Sequence, residues 1–479
     1  MRNAFAGILS RALAAAAKLR GGGATSLPGL AALRLDPGFI RKRAAALSGS
    51  IVITGTNGKT TTSRFIGNAF AQAGRPVVHN QSGSNLLRGI ASILATTKRR
   101  GGSGRGKRAW GIFEVDEATM PDACRALKPR VVVVTNLFRD QLDRYGELKR
   151  TAEYLRTALV ALPKSSTVIL NADDPLVAAL GQGLRCRVRY FGIEDTAHSR
   201  PALPHAADAV SDPKSGALLR YTAVFVGHLG HYRGTSLRRP KPQVRLTRFR
   251  TAGDGRVGTK DSDGAGSLLT IRSGRRTVEL PLQLPGMYNA YNALAALAGA
   301  EAAKVGIAPA AEAIAGTAAV FGRQETVEVD GRHVVIGLIK NPTGANEVIR
   351  TLSETPGKKR LLVLINDNFA DGRDVSWLWD TDFEALRGSK GGRIERLAVG
   401  GRRGSDMALR LKYAGFDTRD VPVYEVSGGG GRDGIDGALR QELAATPDGG
   451  TLHVFPTYTA MLELRRALTR AGHVKHYLD

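Results

Sequence analysis

A parallel α/β fold is predicted for this 479-residue chain by three features. Short apolar runs alternate with helical patterns from Ser50 to about Leu170, the mark of strands separated by helices. The first run feeds a glycine-rich turn and then a helix. A second alternating series, from about Val334 to Phe455, predicts another α/β unit in the C-terminal third. Crossover helices make neighbouring strands parallel, so ligand sites are expected at the carboxyl ends of the strands.

Met1 to Arg20 carries an apolar stripe with Arg2, Arg11, Lys18 and Arg20 on other faces. Arg11 interrupts the apolar run, which makes a poor signal peptide and is too short to span a bilayer. Packing on its own domain is expected of it, ahead of contact with an anionic membrane. A Gly- and Pro-containing connector over residues 21–48 follows. Ser50 to Thr54 reads as a buried strand that runs into Gly55-Thr56-Asn57-Gly58-Lys59-Thr60-Thr61 and a helix with Phe65, Ile66, Ala69 and Phe70. Strand, glycine turn and helix N-terminus form a phosphate cradle. The glycines let backbone N–H groups approach an anion, the helix dipole favours it, Lys59 adds charge and the Thr60 hydroxyl can ligate Mg²⁺. Ile53 stands where the longer form of this loop has its first glycine.

Strands are expected at 76–80, 109–115, 131–135 and 166–170, and a helix at 85–96. Lys98 to Arg108 reads as a solvated basic loop. Polar and acidic residues close these strands: Glu114 and Asp116, then Thr135-Asn136 followed by Asp140 to Gly146, then Asn171-Ala-Asp-Asp-Pro175. Glu114 is the strongest candidate for holding a cation, because a carboxylate at the end of an apolar strand needs compensation.

Residues 195–265 change character, rich in Pro, Gly, Ser, His and Arg, and read as a poorly packed insertion with short strands such as Arg220 to Val226. His205, His228 and His231 lack the cysteines that usually complete a zinc site, so no metal is expected there. Strand alternation resumes over Leu268 to Leu282. Gly286-Met-Tyr-Asn-Ala-Tyr-Asn292 opens an Ala-rich helix, and Phe321-Gly-Arg-Gln-Glu325 follows another. The last strands are expected at 334–338, 359–365, 396–400, 421–426 and 451–455.

Lys and Arg number 69 against 43 Asp and Glu, a net charge of +26. Such a surface favours acidic partners. No aromatic-interleaved basic motif or recognition-helix pattern accompanies it, so nucleic acid is not an expected partner. Two cysteines, Cys124 and Cys186, are too few for a disulfide framework, which fits a reducing cytoplasm.

The loop Gly55 to Thr61 with Glu114, Thr135-Asn136, Asn171-Ala-Asp-Asp174, Asn289, Asn292 and Gly322-Arg323 resembles the Mur ligase superfamily. Arg139-Asp-Gln-Leu-Asp-Arg-Tyr-Gly-Glu147, Lys340-Asn-Pro-Thr-Gly344 and the long motif Asp367 to Asp380 are similar to the MurT family within it. That family comprises the Mur ligase-like subunits of lipid II isoglutaminyl synthase. The likeness covers nearly the whole chain from about residue 25.

The resemblance implies ATP-dependent amidation of the α-carboxylate of D-glutamate in the lipid II stem peptide. It runs through an acyl phosphate, with ammonia from a glutaminase subunit, GatD, as heterodimer partner. By motif, Gly55, Thr56, Asn57, Gly58, Lys59, Thr60, Thr61, Asn289, Asn292 and Arg323 would bind ATP, and Thr60 and Glu114 would hold Mg²⁺. Lys59 and Glu114 would act in catalysis. Asp374 would complete a Cys-His-Asp triad whose other members belong to the partner. The substrate implies work at the inner face of the membrane, from the cytoplasm. The implied division is a helical segment 1–48, a central ATP-binding domain 49–315, and a C-terminal α/β domain 316–479 that contacts the glutaminase.

Two departures accompany the likeness. Gln141 stands where many Mur ligases carry histidine. Many members of the family also carry a four-cysteine zinc ribbon in the insertion. Here Asp212-Pro-Lys-Ser-Gly216 and Gly234-Thr-Ser-Leu237 replace its cysteine pairs. A ribbon without zinc is expected, held by packing alone or mobile. The competing reading is a self-sufficient Mur or folylpolyglutamate-type amino acid ligase. It leaves the Asp367–Asp380 motif without a purpose. A nucleotide-gated scaffold without ligation chemistry is opposed by the intact Lys59, Thr60 and Glu114.

Overall fold

The computed structural model describes residues 27–80, 84–97, 108–140, 148–204, 207–251, 266–317, 323–354, 357–387, 393–425 and 434–474. Met1 to Arg20, most of the 98–108 loop, residues 141–147 of the acidic motif, His205 and Phe321-Gly322 lie outside them. The chain forms two compact units, one of Met1–Phe138 with Glu147–Thr317, the other of Arg139–Gly146 with Ala318–Asp479.

The first unit is built on nine strands: β1 (Gly49–Thr54), β2 (Val77–His79), β3 (Trp110–Glu114), β4 (Val131–Val134), β5 (Thr167–Asn171), β6 (Arg187–Ile193), β9 (Val244–Thr251), β10 (Ser267–Ser273) and β11 (Arg276–Leu282). Their order is β11-β10-β9-β6-β5-β4-β1-β3-β2. The run from β2 to β9 is parallel, and β9, β10 and β11 are antiparallel neighbours. β4 is four consecutive valines, all buried. That is the pattern of a central parallel strand covered on both faces.

One face packs helices α1 (Leu27–Leu35), α2 (Phe39–Ala44), α4 (Leu87–Thr96), α5 (Met120–Leu127), α6 (Leu148–Val160) and α7 (Pro175–Leu180) over Val52, Phe113, Val132 and Val168. On the other face lie α3 (Lys59–Gln72), α8 (Met287–Ala302) and α9 (Ile307–Ala315). α8 is buried almost all round, and its alanines let it lie close to the sheet and to α3. A Cβ on Gly299 would stand 3.0 Å from Val133 and 3.2 Å from Ile66, so little space is left between them.

The insertion is not poorly packed. β7 (Arg220–Val226) and β8 (Leu229–Arg233) form a hairpin whose Phe225, Val226, Leu229 and Tyr232 are buried. Residues 244–251 belong to the main sheet as β9, so the inserted part is shorter than expected. Packing alone does not hold it either. The Asp212 carboxylate, 1% exposed, sits between the two turns that replace the cysteine pairs. One oxygen accepts the N–H groups of Lys214 (3.0 Å) and Ser215 (3.3 Å) and the Ser236 hydroxyl (2.6 Å). The other accepts the N–H groups of Ser236 (2.8 Å) and Leu237 (2.9 Å). A single anion thus ties both turns. The sequence likeness to a ribbon stripped of its ligands concealed this, because an aspartate in a Pro-Lys-Ser-Gly context reads as an ordinary turn residue.

Burial alone would raise the Asp212 pKa, but the donors from Ser236, Lys214 and Ser215 outweigh it and hold the carboxyl well below the usual range. Its contribution is complete above the unfolded value of about 3.9 and is lost only as pH falls through the lower folded value. Asp212→Ala leaves buried N–H groups without partners and is expected to destabilise this region by about 3 kcal/mol. Hydrogen exchange over 208–240 should accelerate at neutral pH, while exchange in the second unit stays as in the parent chain.

The second unit has six strands: β12 (Arg323–Val329), β13 (Arg332–Gly337), β14 (Lys359–Leu364), β15 (Ile394–Gly401), β16 (Val423–Glu425) and β17 (Thr451–Pro456). Their order is β12-β13-β17-β14-β15-β16, parallel except for the β12–β13 hairpin. Helices α10 (Pro342–Glu354) and α11 (Gly404–Tyr413) cover one face, and α12 (Ile435–Ala444) and α13 (Tyr458–Arg470) the other. Among the described residues no helix is long and apolar enough to cross a membrane.

Candidate active site

The phosphate loop lies between the carboxyl end of β1 and the start of α3. Gly55 has φ 121° and Gly58 φ 84°, conformations that favour glycine. Space requires glycine too: a Cβ on Gly58 would lie 2.0 Å from Asn292 Oδ1, and one on Gly55 2.3 Å from Thr135 Oγ1. Asn292 of α8 therefore stands directly against the loop. Asn289 lies one turn before it, and its Oδ1 accepts the Asn292 side-chain N–H at 3.1 Å. The end of β4 braces the loop from the side. Asn136 accepts the N–H groups of Thr56 and Asn57, through its carbonyl and side-chain oxygens respectively. Thr135 Oγ1 donates to Asn57 O at 2.8 Å. No side chain caps the first turn of α3, a geometry that favours an anion at its N-terminus.

Lys59 begins α3. Its Nζ donates to Gly55 O at 2.5 Å and lies 3.2 Å from Glu117 Oε1. Both side chains of the pair are only 11% exposed. Glu117, missed from sequence, is an acidic counter-ion to Lys59 in this arrangement. Its signal is faint: it lies one short turn beyond Glu114, in a Glu-Val-Asp-Glu run at a strand end.

Glu114 ends β3, beside Ile53 of β1 in register. It is buried, and its Oε2 has no hydrogen-bond partner. Asn80 fixes its backbone in both directions, accepting the Glu114 N–H and donating to the Glu114 carbonyl, each at 2.9 Å. A buried carboxylate oxygen without a donor calls for a compensating cation. Among the described residues no group of three or more His, Cys, Asp or Glu side chains converges as a metal cluster. A hard cation here would take its remaining ligands from hydroxyl, phosphate and water oxygens, which suits Mg²⁺.

Asp173 and Asp174 have structural surroundings. Asp174 accepts the N–H groups of Leu137, Leu176 and Val177, capping α7. Asp173 is fully buried between Arg239 (2.6 Å) and the Tyr291 hydroxyl (2.8 Å). Burial raises its pKa against the pull of Arg239. His228 is buried against Phe138 and 3.4 Å from Asp174, whereas His231 contacts the Ile193 carbonyl.

In the second unit, Arg323 opens β12. Arg139 and Asp140, Lys340 and Asn341, and Asp374, Ser376, Trp377 and Asp380 line one small cleft of about 40 Å³. Lys340 pairs with Asp140, and Arg139 with Asp380 at 3.3 Å. Three stretches far apart in sequence thus meet there. Asp374 is exposed, and its Oδ1 accepts the Ser376 N–H at 2.8 Å. The loop that carries it is pinned at its base. Asp371 accepts both the N–H and the hydroxyl of Thr459, and Asp367 is forked between Arg402 (3.0 Å) and Arg403 (2.9 Å). Burial raises the Asp371 pKa. For Asp367 the two arginines overcome burial and lower it. Trp377 packs against the core, whereas Trp379 is exposed and meets Tyr413 edge-on at 5.3 Å.

Residues 53–219 match the Mur ligase middle domain, and residues 338–461 the MurT ligase C-terminal family. Lipid II isoglutaminyl synthase (glutamine-hydrolyzing) subunit MurT of Streptococcus pneumoniae is 32% identical over 454 residues, 93% of each chain. The chain belongs to the MurT family of Mur ligases. The subunit of the same name from Staphylococcus aureus strain COL is 29% identical over 93% of each chain. The fold is that of Mur ligases. A pseudomurein peptide ligase type C from Methanothermus fervidus aligns with TM-score 0.64 and 19% identity, covering 89% of this chain and 79% of its own. MurF ligase from Thermotoga maritima, solved in complex with ADP, aligns with TM-score 0.59 and 13% identity over 92% and 85%. The chain is accordingly an ATP-dependent ligase.

Proposed function

We propose that this chain is the ligase subunit of a lipid II isoglutaminyl synthase, converting the D-glutamate α-carboxylate of the stem peptide to D-isoglutamine. The observation that carries this reading is an intact phosphate loop beside the partnerless Glu114 Oε2, in a chain similar to a MurT subunit over 93% of its length. The carboxylate oxygen attacks the γ-phosphorus of ATP. The bond to the ADP oxygen breaks, and an acyl phosphate forms. Ammonia then attacks the acyl carbon, inorganic phosphate departs, and the nitrogen loses a proton to give the amide.

Lys59 turns from Glu117 toward the phosphates and offsets their charge. The backbone N–H groups from Gly55 to Thr61 cradle them, and Asn292, with Asn289 behind it, borders the nucleotide. By motif, Arg323 would also bind ATP. Thr60 and Glu114 would hold Mg²⁺, which when bound would offset phosphate charge. Ammonia is supplied by a glutaminase subunit, GatD, which meets the C-terminal unit. Asp374 orients the histidine of that subunit's Cys-His pair. The work takes place at the cytoplasmic face of the membrane, where lipid II presents its stem peptide. The domain roles follow: ATP binding within 49–315 and partner contact within 316–479.

Reconstitution tests this. The chain co-purified with its glutaminase, given lipid II, Mg²⁺-ATP and either glutamine or ammonium, should yield the amidated product with both nitrogen donors. Product with neither donor overturns the reading. Incorporation of an added amino acid in place of ammonia would assign the self-sufficient ligase.

A further inference from the structure

An open groove of about 510 Å³ lies in the first unit, outside the phosphate loop. The beginning of β9, the β10–β11 turn, Arg189 of β6 and the C-terminal end of α8 form its walls. Asn292 of the same helix touches the phosphate loop, and Glu301 lies roughly 14 Å further along the axis at 1.5 Å per residue. The groove is thus at the end of the sheet opposite the phosphate loop.

Its charged lining is strongly cationic: Arg189, Lys241, Arg245, Arg275 and Arg276 face one acid, Glu301. Glu301 is already committed, pairing with Arg189 at 2.6 Å and accepting the Ser273 hydroxyl. Among the described residues, Lys241, Arg245, Arg275 and Arg276 form no ion pair. Elsewhere this chain pairs many of its arginines, as Arg396 with Glu442 and Arg239 with Asp173. The walls are held in place without the cations. Gln243 is fixed to the Tyr190 backbone through its own N–H and its side-chain oxygen, and the β10–β11 hairpin is in full register. Four uncompensated charges around a space of ligand size repel one another until an anion of matching charge enters. A single carboxylate would leave most of that charge unbalanced. Guanidinium groups match tetrahedral oxyanions through paired N–H donors.

We propose that this groove binds a phosphate or pyrophosphate group, at a site separate from the ATP site. The proposal stands independently of the amidation chemistry. The group can come from a soluble phosphate compound or from the headgroup of an anionic lipid, and the experiment separates these. With the phosphate loop filled by a non-hydrolysable ATP analogue and Mg²⁺, the full chain is titrated with inorganic pyrophosphate by calorimetry. In parallel it is sedimented with phosphatidylglycerol vesicles and with phosphatidylcholine vesicles.

Arg275→Gln/Arg276→Gln, two exposed residues at the β10–β11 turn and the start of β11, is compared with Arg125→Gln/Arg419→Gln, which removes the same charge elsewhere. The groove variant should weaken binding about tenfold or more, while the control stays within about twofold of the parent. Pyrophosphate binding identifies the soluble source, and binding to phosphatidylglycerol vesicles alone identifies the lipid. Three results overturn the proposal: no binding in either arm, equal loss in both variants, which would assign binding to net charge, and an unchanged groove variant.

Discussion

Asp374→Asn is expected to lower glutamine-driven amidation by about 10⁴-fold, the effect of losing the carboxylate of a nucleophile triad, while ammonium-driven amidation stays unchanged. The geometry isolates the chemistry from the fold. Asp374 is exposed, and among the described residues it accepts one hydrogen bond, from the Ser376 N–H. Asparagine keeps that acceptor. The loop is anchored by Asp371 on Thr459 and by Asp367 between Arg402 and Arg403, none of which the substitution touches. What would be lost is the negative charge and, with it, the proposed hold on a partner's imidazole tautomer. Parallel assays of the complex with glutamine and with ammonium separate the two activities. Equal loss in both would mean that Asp374 serves the ligase site or the fold, and a full rate with glutamine would remove it from the triad.

Much of this molecule was legible because its strands are short, apolar and closed by polar residues. The Ser50–Thr54 strand, the glycine turn and the following helix are local features. Their φ values and the close approach of Thr135 and Asn292 are what a phosphate loop requires. What the sequence concealed is made by distant residues. Glu117 becomes the partner of Lys59 only when β3 is laid beside β1, and nothing in its own neighbourhood distinguishes it from a turn acid. Asn80 acquires its hold on Glu114 in the same way. The insertion misled for a different reason. Its composition is that of a loop, yet one buried carboxylate gathers donors from two turns more than twenty residues apart. In the second unit, the conjunction of Arg139-Asp140 with Lys340 and Asp374 is a tertiary fact that no local pattern encodes.

Glu114→Gln is expected to lower kcat for ammonium-driven amidation by about 10²–10³-fold and to raise the Mg²⁺ concentration needed for half-maximal rate. The carboxylate is buried, yet its Oε2 takes no hydrogen bond from the protein, so a fold-stabilising role is poorly supported by its contacts. Asn80 grips the Glu114 backbone and not its side chain, so the strand end should keep its position in the variant. Glutamine is nearly isosteric but neutral. It keeps a carbonyl oxygen for a cation and loses the charge that makes a carboxylate a good Mg²⁺ ligand. Lys59 remains in place to meet the phosphates, so nucleotide affinity measured without Mg²⁺ should change little. A requirement for more Mg²⁺, with an unchanged thermal midpoint, distinguishes loss of a metal ligand from loss of structure. An unaltered Mg²⁺ dependence would leave Glu114 as a buried strand-end carboxylate, and the cation would then have to be sought beside Glu117 and Thr60.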